Sequence, residues 1–144
     1  LVYDLYGDGK AELMCKTAPL SKDGNGNYVT AVATDSDIKN ASQTNYRNSS
    51  GYILSGPEYL TVFNGQTGAA IHTVWYNPNR AGGYGAAADH PSKSFWGDNY
   101  GNRCDRYLAC VAYLDGASST PSALSAHRVA ALPLSMATVT ITFL

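Results

Sequence analysis

The sequence predicts an all-β fold, on three observations. Gly and Tyr are abundant, at 14 and 11 of 144 residues, a mix that suits strands joined by many turns. The runs Tyr59–Phe63 and Ala70–Tyr76 flank the turn Asn64-Gly65-Gln66-Thr67-Gly68, which is the pattern of a β-hairpin. An acidic loop at Asp4–Glu12 leads into the short apolar run Leu13–Cys15, and Pro19 with the turn-rich Ser21–Asn27 leaves no room for a helix behind it.

Residues 1–17 therefore read as strand, loop, strand. The loop has the spacing of a calcium-binding turn, in which alternate positions offer oxygen to a hard cation. Asp4, Asp8 and Glu12 are the expected carboxylate ligands, and Lys10 stands where a backbone carbonyl is used. Gly7 and Gly9 permit the left-handed backbone of so tight a wrap. Tyr6 occupies a position where Asp or Asn is expected, and a neutral phenol is a poor calcium ligand. Two outcomes stay open: a weakened calcium site, or an acidic turn that keeps the shape without the ion. An EF-hand is excluded, because the required second helix cannot form before Pro19.

Residues 18–58 read mostly as loop, with turn signals at Asp23-Gly24-Asn25-Gly26 and Asn48-Ser49-Ser50-Gly51. So long a stretch implies a functional loop or a short unrecognised element, for which Tyr52-Ile53-Leu54 is a candidate. In the hairpin at 59–76, Asn64-Gly65 is expected to supply the positive φ angles of the turn. Alternation puts Ile71, Thr73 and Trp75 on one side of the pleat. A strand, a Gly-bounded turn and a return strand form a common unit of a propeller blade.

Residues 77–105 are a second long loop. Its Arg103, Arg106, Asp98 and Asp105 form either a local ion-pair knot or an Arg fork for an acidic ligand. Tyr107–Leu114 is a continuous apolar run that suits a strand buried on both faces. After Ser118 the texture shifts to Ala, Ser and Leu, Gly disappears, and Val139–Leu144 reads as one more strand.

The chain is long enough for one domain with a core. It starts at Leu1 without an initiator Met or a signal peptide, which reads as a fragment edge. No run approaches the roughly 18 apolar residues of a membrane span, so no membrane association is expected. Net charge is −1 with no basic stripe, which argues against a nucleic-acid partner. The three cysteines, Cys15, Cys104 and Cys110, cannot all pair with one another and match no zinc spacing, so free, packed thiols are expected. Tyr-lined clefts suit sugars, although Tyr also simply favours strands.

Three stretches carry a family resemblance. They are Gly7–Leu13 leading to Lys16-Thr17-Ala18, then Gly56–Gly68, and then Trp96–Arg103 continuing through Asp105–Ala109 to Ala112–Gly116. Asn45-Tyr46-Arg47-Asn48 adds a fourth. Together, over residues 1 to about 117, they resemble the family 11 polysaccharide lyases, which cleave rhamnogalacturonan. The resemblance implies early blades, at the N-terminal side, of an eight-bladed β-propeller with bound calcium. It implies a secreted, monomeric enzyme acting on the rhamnogalacturonan I backbone by β-elimination.

Under this resemblance Asp4, Asp8, Lys10 and Glu12 are the metal-loop residues, and Lys16 and Thr17 end the following strand where the blades approach the cleft. No catalytic residue is assigned, because the basic catalysts and the histidine calcium ligands belong to blades outside this chain. His72, His90 and His127 match none of the motifs and are expected on the surface or in loops. A single fragment of this kind is expected to be inactive alone.

Two departures stand out. The family continues Lys-Thr-Ala with Asp-Gly-Thr, whereas this chain has Pro19-Leu20-Ser21. Residues 118–144 lose the pattern after Pro121-Ser122-Ala123, as a frame-shifted tail starting near Ser125 would. The alternative function is a non-enzymatic, calcium-stiffened propeller that binds polysaccharide or a partner protein.

Overall fold

A computed structural model describes residues 1–77, Asn79 and the strand segments 107–112, 122–127 and 138–142. The elements in order are β1 (Val2–Tyr3), β2 (Glu12–Thr17), a 3₁₀ turn (Val29–Val32), α1 (Ser36–Lys39), β3 (Tyr59–Asn64), β4 (Ala70–Trp75), β5 (Tyr107–Ala112), β6 (Ser122–His127) and β7 (Thr138–Thr142). They form a four-stranded sheet in the order β1-β2-β3-β4 and a three-stranded sheet in the order β5-β6-β7. Every pair is antiparallel and consecutive. The described chain is thus all-β apart from one short helix and the 3₁₀ turn, as its composition predicts. No helix among the described residues is long and apolar enough to cross a membrane.

The first sheet is covered on both faces, and register explains how. Met14 pairs with Val62, and Leu60 pairs with Val74. These residues share a face, where Leu5, Met14, Leu60, Val62 and Tyr76 form a buried cluster. Val111 of β5 packs on that cluster, so the second sheet helps to cover it. On the other face Tyr59 lies opposite Trp75, with ring centroids 5.5 Å apart. Here Tyr59 is buried with Ala33 and Ile38. Burial pushes the Tyr59 phenol up to about 12, with Tyr46 adding to the shift.

The stretch 18–58 is therefore a cover and not a structureless excursion. Its 3₁₀ turn buries Val29, and α1 buries Ile38 against the sheet. Asp35 caps α1, accepting from the backbone N–H of Asp37 and Ile38, as an Asp at this position commonly does. Its second oxygen accepts the Trp75 indole N–H at 3.0 Å. Tyr52-Ile53-Leu54 is not a strand: Ile53 only makes an isolated bridge to Arg47.

Five expectations are corrected. Gly65 is not in the left-handed region; the turn's positive φ falls on Gly68, at 71°. Ile71 is exposed while Thr73 is fully buried, because β3 and β4 shift register at Val62/Phe63. β5 is not buried on both faces, since Ala109 and Cys110 are exposed while Val111 turns inward. Cys110 is thus a free but exposed thiol, whereas Cys15 is free and half-buried. His72 lies half-buried within β4, not in a loop. Cys104, His90 and the Trp96–Arg106 motif lie outside the described residues, as does the side chain of His127.

Candidate functional site

The sheet has two unlike ends. At the first, the start of β2 meets the end of β3 and the start of β4. Three turns lock together here. Asp23 accepts from the backbone N–H groups of Asn25 and Asn27 and, across the chain, from that of Ala70. Burial alone would push the Asp23 carboxyl up, but the N–H groups of Asn27, Ala70 and Asn25 outweigh it and hold the carboxyl below the usual range. Gly24 N–H donates to the Gly68 carbonyl at 2.8 Å.

The acidic loop is the third of these turns. Asp4 accepts from the backbone N–H of Asp8 at 3.1 Å and from that of Gly9 at 2.8 Å. Asp8 accepts from Lys10 N–H at 3.0 Å. Glu12, buried at 2 % exposure, accepts from Leu5 N–H at 2.9 Å. Gly7 and Gly9 do carry positive φ, at 70° and 81°. Tyr6 is exposed, and its phenol is raised by burial and by the Glu12 carboxylate.

The donor chemistry suits calcium, but the arrangement does not form its cage. A calcium site needs about six to eight converging oxygens. Here each carboxylate is turned to a backbone donor, and among the described residues no three acidic, His or Cys groups converge. The loop as folded is a hydrogen-bonded clasp.

The second end carries Lys16 and Thr17, four and five residues along β2 from Glu12. At about 3.4 Å per residue, roughly 14–17 Å separates them from the end of the acidic loop. The predicted metal residues and the predicted substrate residues are therefore not brought together. Lys16 and Thr17 also point to opposite faces, as neighbours in a strand must. Lys16 forms an ion pair with Glu58, which is only 3 % exposed. The ammonium also lies 5.6 Å from the centre of the Tyr76 ring.

On the other face Thr17 begins a row of hydroxyls. Its Oγ1 is 2.7 Å from that of Thr61, which is 3.1 Å from that of Thr73. Thr73 donates to the Val29 carbonyl at 2.7 Å. Each hydroxyl has one proton, so Thr61 must donate to Thr73 and Thr17 to Thr61. The row ties β2, β3 and β4 to the covering 3₁₀ turn.

Beyond Thr17 the strand runs into Pro19-Leu20-Ser21. Leu20 adopts φ 71°, a left-handed conformation that costs a side-chain-bearing residue about 1–2 kcal/mol. The Leu20 N–H donates to Gln43 at 2.8 Å, and Gln43 in turn donates to Thr30 and to the Ala41 carbonyl. A cavity opens beside this segment, lined also by Asn45, Tyr46 and Arg47. Asn45-Tyr46-Arg47 belongs to the fourth family stretch, and nothing in its sequence marks a role.

The comparisons agree with this architecture. The family model described as "Rhamnogalacturonan lyase family 11, C-terminal domain" matches residues 1–128, and the chain belongs to that family. The match runs past the residue, about 117, where the motifs stop. The rhamnogalacturonan exolyase YesX of Bacillus subtilis (strain 168) is 50% identical over 116 residues, covering 81% of this chain and 16% of that protein. The rhamnogalacturonan endolyase YesW of the same organism is 48% identical over the same length and coverage. The crystal structure of YesX superposes with a TM-score of 0.63, covering 88% of this chain and 17% of that one. The chain therefore spans about a sixth of the relatives that it matches.

Proposed function

We propose that this chain is part of a secreted, monomeric rhamnogalacturonan lyase that cleaves the rhamnogalacturonan I backbone of pectin. The observation that carries this is 50% identity to a rhamnogalacturonan exolyase, within a family match over residues 1–128. Residues 1–117 form early blades of an eight-bladed β-propeller within the parent's C-terminal domain. A four-stranded antiparallel meander followed by a second antiparallel sheet supports this, since such sheets are the blades of propellers. Residues 118–144 are a divergent tail, frame-shifted from about Ser125. Recovery of that tail by peptide mass mapping of the native protein would refute the frame shift.

The chemistry follows from the substrate. The galacturonate C5–H lies α to a carboxylate and is weakly acidic. A base removes this proton, the C5 electron pair forms the C4–C5 double bond, and the C4–O bond breaks. The departing oxygen takes a proton, leaving an unsaturated uronate. The base lies in blades outside this chain, and it must be held neutral near the working pH. Lys16 and Thr17 stand at the cleft end of β2 and contact the sugar chain.

Calcium belongs to the parent enzyme as its cofactor. An ion beside the galacturonate carboxylate, held by blades outside this chain, would supply charge that stabilises the developing enolate. One held at the acidic loop, at the far end of β2 from Lys16 and Thr17, would instead brace the loop. Asp4, Asp8, the Lys10 carbonyl and Glu12 would hold that ion only after releasing the backbone N–H groups that the carboxylates now bind.

The test is the parent protein incubated with rhamnogalacturonan I, read by the ultraviolet absorbance of the unsaturated product. Binding of the polysaccharide without that absorbance would instead favour a non-enzymatic, calcium-stiffened propeller.

A further inference from the structure

We propose that the cavity beside β2 is a subsite for one uronate carboxylate, with Arg47 as its anchor. This rests on the lyase reading for the identity of the sugar, but the geometry stands by itself. The cavity has a volume of about 210 Å³ and is lined by Leu20, Ser21, Asn45, Tyr46, Arg47 and Ser55 among others. At about 30 Å³ per water, that is the space of roughly seven waters, which suits one sugar ring and not an oligomer.

Three features give the cavity its chemistry. Arg47 is exposed and has no carboxylate partner among the described residues. Its guanidinium is a permanent cation with five donors in a planar fork that matches a carboxylate bidentately. Asn45 accepts the Arg47 backbone N–H at 3.1 Å, and Arg47 bridges Ile53 in antiparallel fashion, so the backbone that carries the fork is braced. The lining mixes apolar groups (Leu20, Ile53, Pro57) with polar ones (Ser21, Asn45, Ser55), which suits a sugar with C–H faces and hydroxyl edges better than a bare inorganic anion.

The walls are built at some cost. Tyr46 packs flat against Gly56, where a Cβ would meet its ring atoms at 2.5–2.7 Å. Leu20 keeps its left-handed backbone because Gln43 holds its N–H. Strain that the surroundings over-determine is found preferentially at ligand clamps. The cavity also begins at Ala18, the residue after Thr17, and so lies at the sheet end that carries Lys16 and Thr17.

The experiment uses the intact parent protein, as wild type, Arg47→Lys and Arg47→Ala. Binding of D-galacturonate, D-galactose and inorganic phosphate is measured by calorimetry, and KM and kcat are measured on rhamnogalacturonan I. Galacturonate is expected to bind at least tenfold more tightly than either galactose or phosphate. Arg47→Ala is expected to weaken galacturonate about 10- to 100-fold, with Arg47→Lys in between and KM rising more than kcat falls.

Galacturonate affinity unchanged in Arg47→Ala overturns the subsite, and so does phosphate binding as tight as galacturonate. If Arg47→Ala unfolds, Arg47→Lys decides on the same scale. Failure of the lyase reading is seen separately, as absence of unsaturated product from wild type. Arg47-dependent galacturonate binding would then sustain the subsite without the lyase.

Discussion

Gly65 and Ala11 touch backbone to backbone, so closely that a Cβ on Gly65 would stand 2.1 Å from the Ala11 carbonyl oxygen. The hairpin turn and the acidic loop are thereby fixed to each other. Gly65→Ala must push them apart, and overpacking of this kind costs about 1–3 kcal/mol. Urea unfolding should show that loss as a lower midpoint with an unchanged slope.

Leu20→Gly should act in the opposite direction. It relieves about 1–2 kcal/mol of left-handed strain, against about 0.4–1 kcal/mol for the added freedom of glycine in the unfolded chain. The net gain is expected to lie between about 0 and 1.6 kcal/mol, visible as a higher melting temperature. A loss of stability would mean that the Leu20 side chain contributes packing that offsets its backbone.

Asp4→Ala should destabilise the loop even in the presence of a chelator. The carboxylate satisfies two backbone N–H groups, and losing such an acceptor costs about 1–2 kcal/mol. Hydrogen exchange at the Asp8 and Gly9 amides should accelerate in the variant. In wild type the same amides should stay protected when calcium is removed; loss of protection on chelation would show that the ion holds the loop.

The Lys16–Glu58 pair can be tested as a buried pair. Lys16→Met leaves Glu58 charged at 3 % exposure, and breaking a buried pair from one side typically costs about 3–5 kcal/mol. The double variant Lys16→Met/Glu58→Met should recover much of it. Equal losses in the single and double variants would show that the charge on Glu58 is compensated elsewhere.

Acid should detach the covering segment early. The Asp35 carboxyl is held low by the Asp37 N–H first, then by the Ile38 N–H and the Trp75 indole, against the opposing effect of burial. Asp23 is held low as well. For both, the folded value lies below the unfolded one of about 3.9. Their stabilisation is complete above that unfolded value and is lost as pH falls through the folded value. Trp75 fluorescence should report the change in this acid window, and Asp35→Asn should weaken the response.

The legible parts of the fold were those set by local pattern. The strands at 59–64 and 70–75 follow from β-rich runs around a Gly-bounded turn. The meaning of Gly65 was not legible, because its neighbour Ala11 lies far away in the chain. The same holds for residues 18–58, whose turns are polar but whose Val29 and Ile38 are buried only because a sheet lies beneath them. Asp35 ahead of Ile38 was an available sign of a helix cap. At the candidate site, Lys16 and Thr17 were found by family pattern, but their separation onto two faces follows from the pleat. Arg47 is not legible as a site residue, because an Arg between Tyr46 and Asn48 in a polar loop is ordinary in sequence; the cavity distinguishes it.

The hydroxyl row across the sheet has one more consequence. Its last acceptor, the Val29 carbonyl, has no proton to give, so every O–H in the row points inward. Thr17 has thereby committed its only proton to Thr61 and shows the sheet end nothing but lone pairs. A sugar hydroxyl arriving there is welcome as a donor, whereas a carboxylate or ether oxygen meets repulsion. Thr17 and Arg47 would then sort a polysaccharide by polarity, one side taking its protons and the other its negative charge.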